Sequence, residues 1–241
     1  MPRVILSSWM RMRRKNTTGR VGEFYARLIQ SVVGGTAGSS FDNGSDILNH
    51  QLGFEVEVKA SSNNQHFRIS SSQKLRYLEK TPFPLDCFLY ALCSYRGKGS
   101  DKRSRLSRCR TKAELFGVLA ERTDEVYLFD IEILNAFERK LGVLTGRYVG
   151  NGAKEEVFTM QRKRDIRLFW NGRRLESMNS LGLRSSDWTF GSVELEENLS
   201  VGGRIYAASF TLFTALRPSI HRKLFKTREF PPNQYRHRGV K

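Results

Sequence analysis

Residues Ser45–Lys59 read SDILNHQLGFEVEVK. An acid, Asp46, stands on a short apolar segment. A Gly-containing turn follows, and then Phe54-Glu55-Val56-Glu57-Val58-Lys59 alternates apolar and charged residues. Side chains leave opposite faces of a strand in turn. Phe54, Val56, Val58 and Ala60 therefore share one face, while Glu55, Glu57 and Lys59 share the other. A hairpin that ends its first strand at Asp46 sets that carboxylate beside Glu57. Two adjacent carboxylates repel unless a divalent cation lies between them. A hard ion such as Mg²⁺ suits such a pair, because it takes oxygen ligands and keeps several waters. Lys59 points at the same place, where it can stabilise charge on a phosphate or help deprotonate an attacking water. In outline this is a phosphodiester-hydrolysis site. The plainer alternative is a half-exposed strand with a solvated charged face, since short motifs recur by chance.

Composition bounds the rest. With 241 residues, 39% hydrophobic content and 16 Phe, the chain has enough apolar material for a sizeable core and is not of disordered type. No apolar run approaches the ~20 residues that span a bilayer, and without a strongly amphipathic basic helix no membrane partner is expected. Cys87, Cys93 and Cys109 are an odd number without metal-ligand spacing. They read as reduced thiols of an intracellular protein, in the cytoplasm or nucleoid. The net charge is +17, from 41 Lys and Arg against 24 Asp and Glu. Nucleic acid is the usual partner of such a chain, through phosphate contacts and counterion release.

Residues 1–18 read as a basic arm. A mitochondrial transit peptide has the same composition, but an arm lying on DNA is preferred because a helix follows without a spacer. Thr17 and Thr18 suit its cap. Val21, Phe24, Tyr25, Leu28 and Val32 recur at helical spacing, and Gly34-Gly35 stops the helix. Glu23 lies beside this apolar face, near Arg20 and Arg27, where an ordinary helix salt bridge explains it. Residues 34–45 are Gly- and Ser-rich and read as a loop, in which small residues permit close approach to a ligand; Asp42 there ranks below Asp46. After the Glu57 strand, His66–Ile69 reads as a strand. Ser70 or Ser71 caps a helix with Gln73, Leu75, Tyr77 and Leu78, and Asp86–Ser94 reads as a central buried strand.

A helix with Glu23, then Ser45-Asp46, a hairpin, Glu57-Val58-Lys59 and a strand leading to Gln73 resembles the PD-(D/E)XK nuclease superfamily, with Ser45 in place of the family's Pro. Within it, Arg20, Glu23, Asp46, Glu57, Lys59, Phe67 and Gln73 match the order and spacing of the archaeal-type Holliday junction resolvases. The likeness covers residues 19 to about 95. It implies an α/β restriction-endonuclease-like core, a central mixed sheet flanked by helices. It further implies a homodimeric DNA endonuclease dependent on Mg²⁺ or Mn²⁺. Asp46 and Glu57 would hold the ion with the Val58 carbonyl. Glu23 would contribute directly or through water, Lys59 would activate water, and Gln73 would support the lysine or the phosphate. Junction or branched-DNA cleavage is the first expectation; the alternatives are a restriction or phage repair nuclease and a non-catalytic basic binding protein.

The core is expected over residues 19–142, with a basic loop at 96–112. Arg13, Arg14, Arg20, Ser61, Arg68, Lys102, Arg103 and Arg105 are the candidate nucleic-acid contacts. Thr111 and Glu114 form a capping box. Residues 143–216 read as a β-rich elaboration, with strands at Val157–Met160, Ile166–Trp170 and Ile205–Leu216 and a hairpin turn at Asn171-Gly172. The tail, 217–241, reads as an extended phosphate-binding arm. Neither an H-E-x-x-H, a P-loop nor a G-x-S-x-G motif occurs, and the four histidines suggest no second chemistry.

Overall fold

The computed structural model describes residues 19–37, 45–62, 66–70, 87–96, 106, 108–142, 144–149, 153–161, 165, 166, 169 and 178–226. Its centre is the expected hairpin. Strand β2 (Ile47–Asn49) runs antiparallel to β3 (Phe54–Ser62), with Ile47 opposite Val56 and Asn49 opposite Phe54. The turn closes through the Gly53 amide, which donates to the Asn49 carbonyl at 2.9 Å, and through the Leu52 amide, which donates to the Asn49 side chain at 3.0 Å. Gly53 takes φ 72°, a conformation that side chains with a Cβ rarely adopt.

Around this hairpin grows a seven-stranded mixed sheet in the order β1-β2-β3-β5-β6-β10-β9. Here β1 is Thr36–Ala37, β5 Cys87–Tyr95, β6 Thr123–Asp130, β9 Thr189–Val201 and β10 Arg204–Leu216. β5 runs parallel to β3 and β10 parallel to β6; the other neighbours are antiparallel. A smaller sheet has the order β4-β8-β7, from His66–Ser70, Ala153–Gln161 and Leu144–Val149. The fold is α/β, with helices flanking a large mixed sheet.

The alternation of side chains divides the core into two layers. Val56 and Val58 of β3, Leu89 and Ala91 of β5, and Phe210 and Leu212 of β10 face α1 (19–33), α2 (Lys112–Ala120) and α4 (Pro218–Lys226). From α1 come Phe24, Tyr25, Leu28, Ile29, Val32 and Val33, all buried. Phe24 meets Phe116 of α2 edge-on at 5.2 Å, a geometry that aromatic quadrupoles favour. On the opposite face, Phe88, Tyr90, Leu92, Tyr127 and Phe129 pack against α3 (Ile131–Leu141) and the smaller sheet. The Thr111–Glu114 capping box is present, with both reciprocal hydrogen bonds.

Several elements differ from the sequence reading. The strand containing Phe67 and Ile69 does not join the main sheet; it pairs with β8, because both its apolar side chains cover the Tyr90 face of the core. Thr36–Ala37, expected in a loop, adds a short strand to β2. β9 was not foreseen: its alternation of Glu and apolar residues becomes legible as a strand only when paired with β10. Ile166 and Phe169 are buried but lie in helical turns rather than a strand. The strands between 143 and 216 are divided between the two sheets, β7 and β8 in the smaller and β9 and β10 in the main one. The tail is not extended at its start. Residues 218–226 form α4, because Ile220 and Leu224 fall on one helical face and are buried. Residues 1–18, the bases 97–105 of the loop, the helix expected around Gln73, Asn171-Gly172 and the tail beyond 226 lie outside the described residues. Among the described residues, no helix is long and apolar enough to cross a membrane. Cys93 is fully buried and Cys109 half-buried, and neither is in a disulfide.

Candidate active site

β2 is short, and its N-terminal end leaves part of β3 without a strand partner on that side. Ile47 faces Val56, so Asp46, one residue earlier, falls opposite Glu57. The Val58 amide turns toward this end and donates to Asp46 Oδ2 at 2.7 Å. The N–H and C=O of a strand residue leave toward the same neighbour, so the Val58 carbonyl also leaves toward Asp46. Glu57 is only 4% exposed, and Lys59 Nζ lies 2.5 Å from its Oε1. The expected trio of Asp46, Glu57 and Lys59 is therefore brought together.

Charge in this corner is held at a cost. Burial, followed by the negative charge of Glu57, raises the Asp46 carboxyl from 3.8 to about 6; the Val58 amide and the Lys59 ammonium oppose the rise. Tyr90, paired in register with Glu57 on the neighbouring strand, has its phenol pushed up by burial and then by Glu57 and Asp46. It stays a protonated donor. Glu55 is a third buried acid, on the same face of β3 as Glu57 and 4% exposed. Burial raises its carboxyl, while the Ser45 hydroxyl, which donates to Oε2, and the charge of His50 pull it down. Sequence reasoning set Glu55 on this face without giving it a role. The Glu-Val-Glu alternation was the available signal.

Among the described residues, no group of three or more His, Cys, Asp or Glu is placed to hold a metal. The donor set at this corner is two carboxylates and a backbone carbonyl, all oxygen. That chemistry fits Mg²⁺ or Mn²⁺, which keep waters in the remaining positions, and not a structural zinc.

Other expected residues are placed differently. Glu23 rides on α1, which packs on the Val56 and Val58 face of β3, whereas Glu57 and Lys59 alternate to the other face. Its carboxylate is engaged by Arg27 at 3.1 Å and by Lys112, the ordinary salt bridge extended by one partner. The close approach in the Gly-rich segment also has a local purpose. A Cβ on Gly35 would sit 2.4 Å from the Leu48 carbonyl, so there the small residue makes room for β2. Ser61 lies on the Glu57 face of β3, buried, across from Ser94. Arg68 is exposed on β4 and Arg20 half-exposed on α1. Gln73, Asp42, Arg13, Arg14, Lys102, Arg103 and Arg105 lie outside the described residues.

No family model, curated protein or solved structure matches the chain.

Proposed function

We propose that this chain is an endonuclease that hydrolyses DNA phosphodiester bonds with Mg²⁺ or Mn²⁺, on a restriction-endonuclease-like core. The observation that carries the reading is the buried Asp46–Glu57 pair with Lys59 against it. Three features of one strand end agree with it: two adjacent acids, a carbonyl leaving toward them, and an ammonium two residues on. The net charge of +17 supports a polyanionic substrate. An antiparallel β1-β2-β3 unit with β5 parallel to β3 agrees with the sheet that the PD-(D/E)XK likeness implies.

Asp46, Glu57 and the Val58 carbonyl would hold the ion, which supplies Lewis-acid polarisation of the phosphate and hydroxide at neutral pH. The Val58 amide orients Asp46. Lys59 pairs with Glu57 and would serve the attacking water or the developing phosphate charge. Glu23 supports α1 through its ion pairs. A two-fold dimer would supply two sites for two strands, so a homodimer acting on branched or duplex DNA inside the cell completes the reading.

The test is cleavage of labelled four-way junction and matched linear duplex, with Mg²⁺ and with EDTA, by wild type and Glu57→Ala. Mg²⁺-dependent cutting that the substitution abolishes supports the site, and junction-only cutting supports a resolvase. Cutting of plain duplex at fixed sequences moves the reading to restriction. Tight, salt-sensitive binding without cutting would leave a non-catalytic binding protein.

A further inference from the structure

Four side-chain hydroxyls among the described residues are buried without a hydrogen-bond partner: those of Tyr90, Ser94, Tyr206 and Thr214. An unpartnered buried hydroxyl carries its desolvation cost uncompensated, and in place of a tyrosine a phenylalanine fills nearly the same space without that cost. Such a group asks for an explanation, and the four differ in what they face. Tyr206 and Thr214 alternate to the α1 side of β10, with Phe210 and Leu212. Ser94 lies across from Ser61, on the far side of the Lys59–Leu92 pair from the acids. Tyr90 alone is paired in register with Glu57, on the same face and on a parallel strand.

Tyr90 is also held firmly. It is fully buried in the middle of β5, with Phe88 edge-on at 5.3 Å. A side chain fixed this way cannot swing out to find another acceptor. The Glu57 carboxylate beside it has its Oε1 drawn to Lys59. A cation between Asp46 and Glu57 would compete with Lys59 for that oxygen and reorient the carboxylate.

We propose that Tyr90 is a positioning residue: its hydroxyl donates a hydrogen bond to the Glu57 carboxylate when a divalent ion occupies the Asp46–Glu57 pair, fixing that carboxylate on the ion. The inference rests on the reading of this pair as a divalent-ion site. Partners of this kind orient ligating carboxylates, and their removal weakens metal binding about 10–100-fold.

The experiment is Mn²⁺ titration at pH 8, followed by electron paramagnetic resonance, for wild type, Tyr90→Phe and Glu57→Gln. Metal-free melting temperature and DNA affinity in EDTA are measured beside it. Tyr90→Phe is expected to weaken Mn²⁺ binding about tenfold or more, with the metal-free melting temperature unchanged or higher and DNA affinity unchanged. A Mn²⁺ affinity within about twofold of wild type in Tyr90→Phe, with binding lost in Glu57→Gln, overturns the role of Tyr90 and leaves the ion site standing. A fall of several degrees in the metal-free melting temperature of Tyr90→Phe makes the hydroxyl part of the fold and also overturns it. Unchanged Mn²⁺ binding in Glu57→Gln removes the ion site itself, and the role of Tyr90 with it.

Discussion

Asp46 accepts the amide proton of Val58 at 2.7 Å across the end of β2, and that contact places the carboxylate beside Glu57 without a strand to carry it. The same amide stabilises the charged form of Asp46, yet burial and Glu57 outweigh it. The protein thus keeps two acids together at the expense of its own stability.

That expense is measurable. Between about pH 4 and 6 the folded chain retains a proton on Asp46 that the unfolded chain has released, so this group makes stability fall as pH rises through the window. A rise from 3.8 to about 6 corresponds to a cost on the order of 3 kcal/mol above the window. Asp46→Asn removes the charge and is expected to stabilise the chain at pH 8 by on the order of 1–3 kcal/mol, while abolishing cleavage. Urea denaturation at pH 8 and pH 4 checks it: the gain should vanish at the lower pH.

Ion binding should follow the same titration. A ligating carboxylate must be deprotonated, so Mg²⁺ is expected to raise the melting temperature of the wild type more at pH 8 than at pH 5. Cleavage should show an acid limb that moves to lower pH as Mg²⁺ is raised, because the ion competes with the proton for the Asp46 carboxylate. Equal stabilisation by Mg²⁺ at both pH values would place the ion elsewhere.

Lys59→Ala is expected to lower the cleavage rate by about 10²-fold or more with DNA affinity in EDTA retained. Because the Lys59 ammonium holds the Asp46 carboxyl down, the residual activity should have its acid limb displaced to higher pH. A displacement in the opposite direction would contradict the assigned geometry.

Glu23→Ala separates the sequence expectation from the observed geometry. Its carboxylate is held by Arg27 and Lys112 on the helix behind β3, so the substitution is expected to slow cleavage less than about tenfold, against the ~10²-fold or greater loss expected at Lys59. Single-turnover rates on one DNA substrate provide the comparison. A loss at Glu23 as large as that at Glu57 would restore it to the reacting centre.

Arg217→Ala tests a contact away from the site. Arg217 Nε donates to Asp130 Oδ2 at 2.7 Å, and Asp130 is fully buried while its other oxygen caps α3. Removing the arginine takes one charged partner from a buried carboxylate and is expected to destabilise the fold by about 1–3 kcal/mol, read from the urea midpoint.

The parts legible in the sequence were those that depend on short-range periodicity. The β2–β3 hairpin follows from the alternation of Phe54–Lys59 and the turn before it. The buried face of α1 follows from helical spacing, and the α2 cap from Thr111 and Glu114. The grouping of Asp46, Glu57 and Lys59 was available because a tight turn fixes register, and register fixes which side chains are neighbours. What tertiary structure decided was every relation between segments distant in the chain. β4 left the main sheet for β8, α4 formed where its apolar residues met the core, and Glu23 was claimed by Lys112 of another helix. Tyr90 illustrates the division best. Its place in an apolar run marked it only as core, and pairing with β3 set it in register with Glu57. Local pattern determines which face a residue takes; which partner it meets there depends on strand order, and no local pattern encodes that.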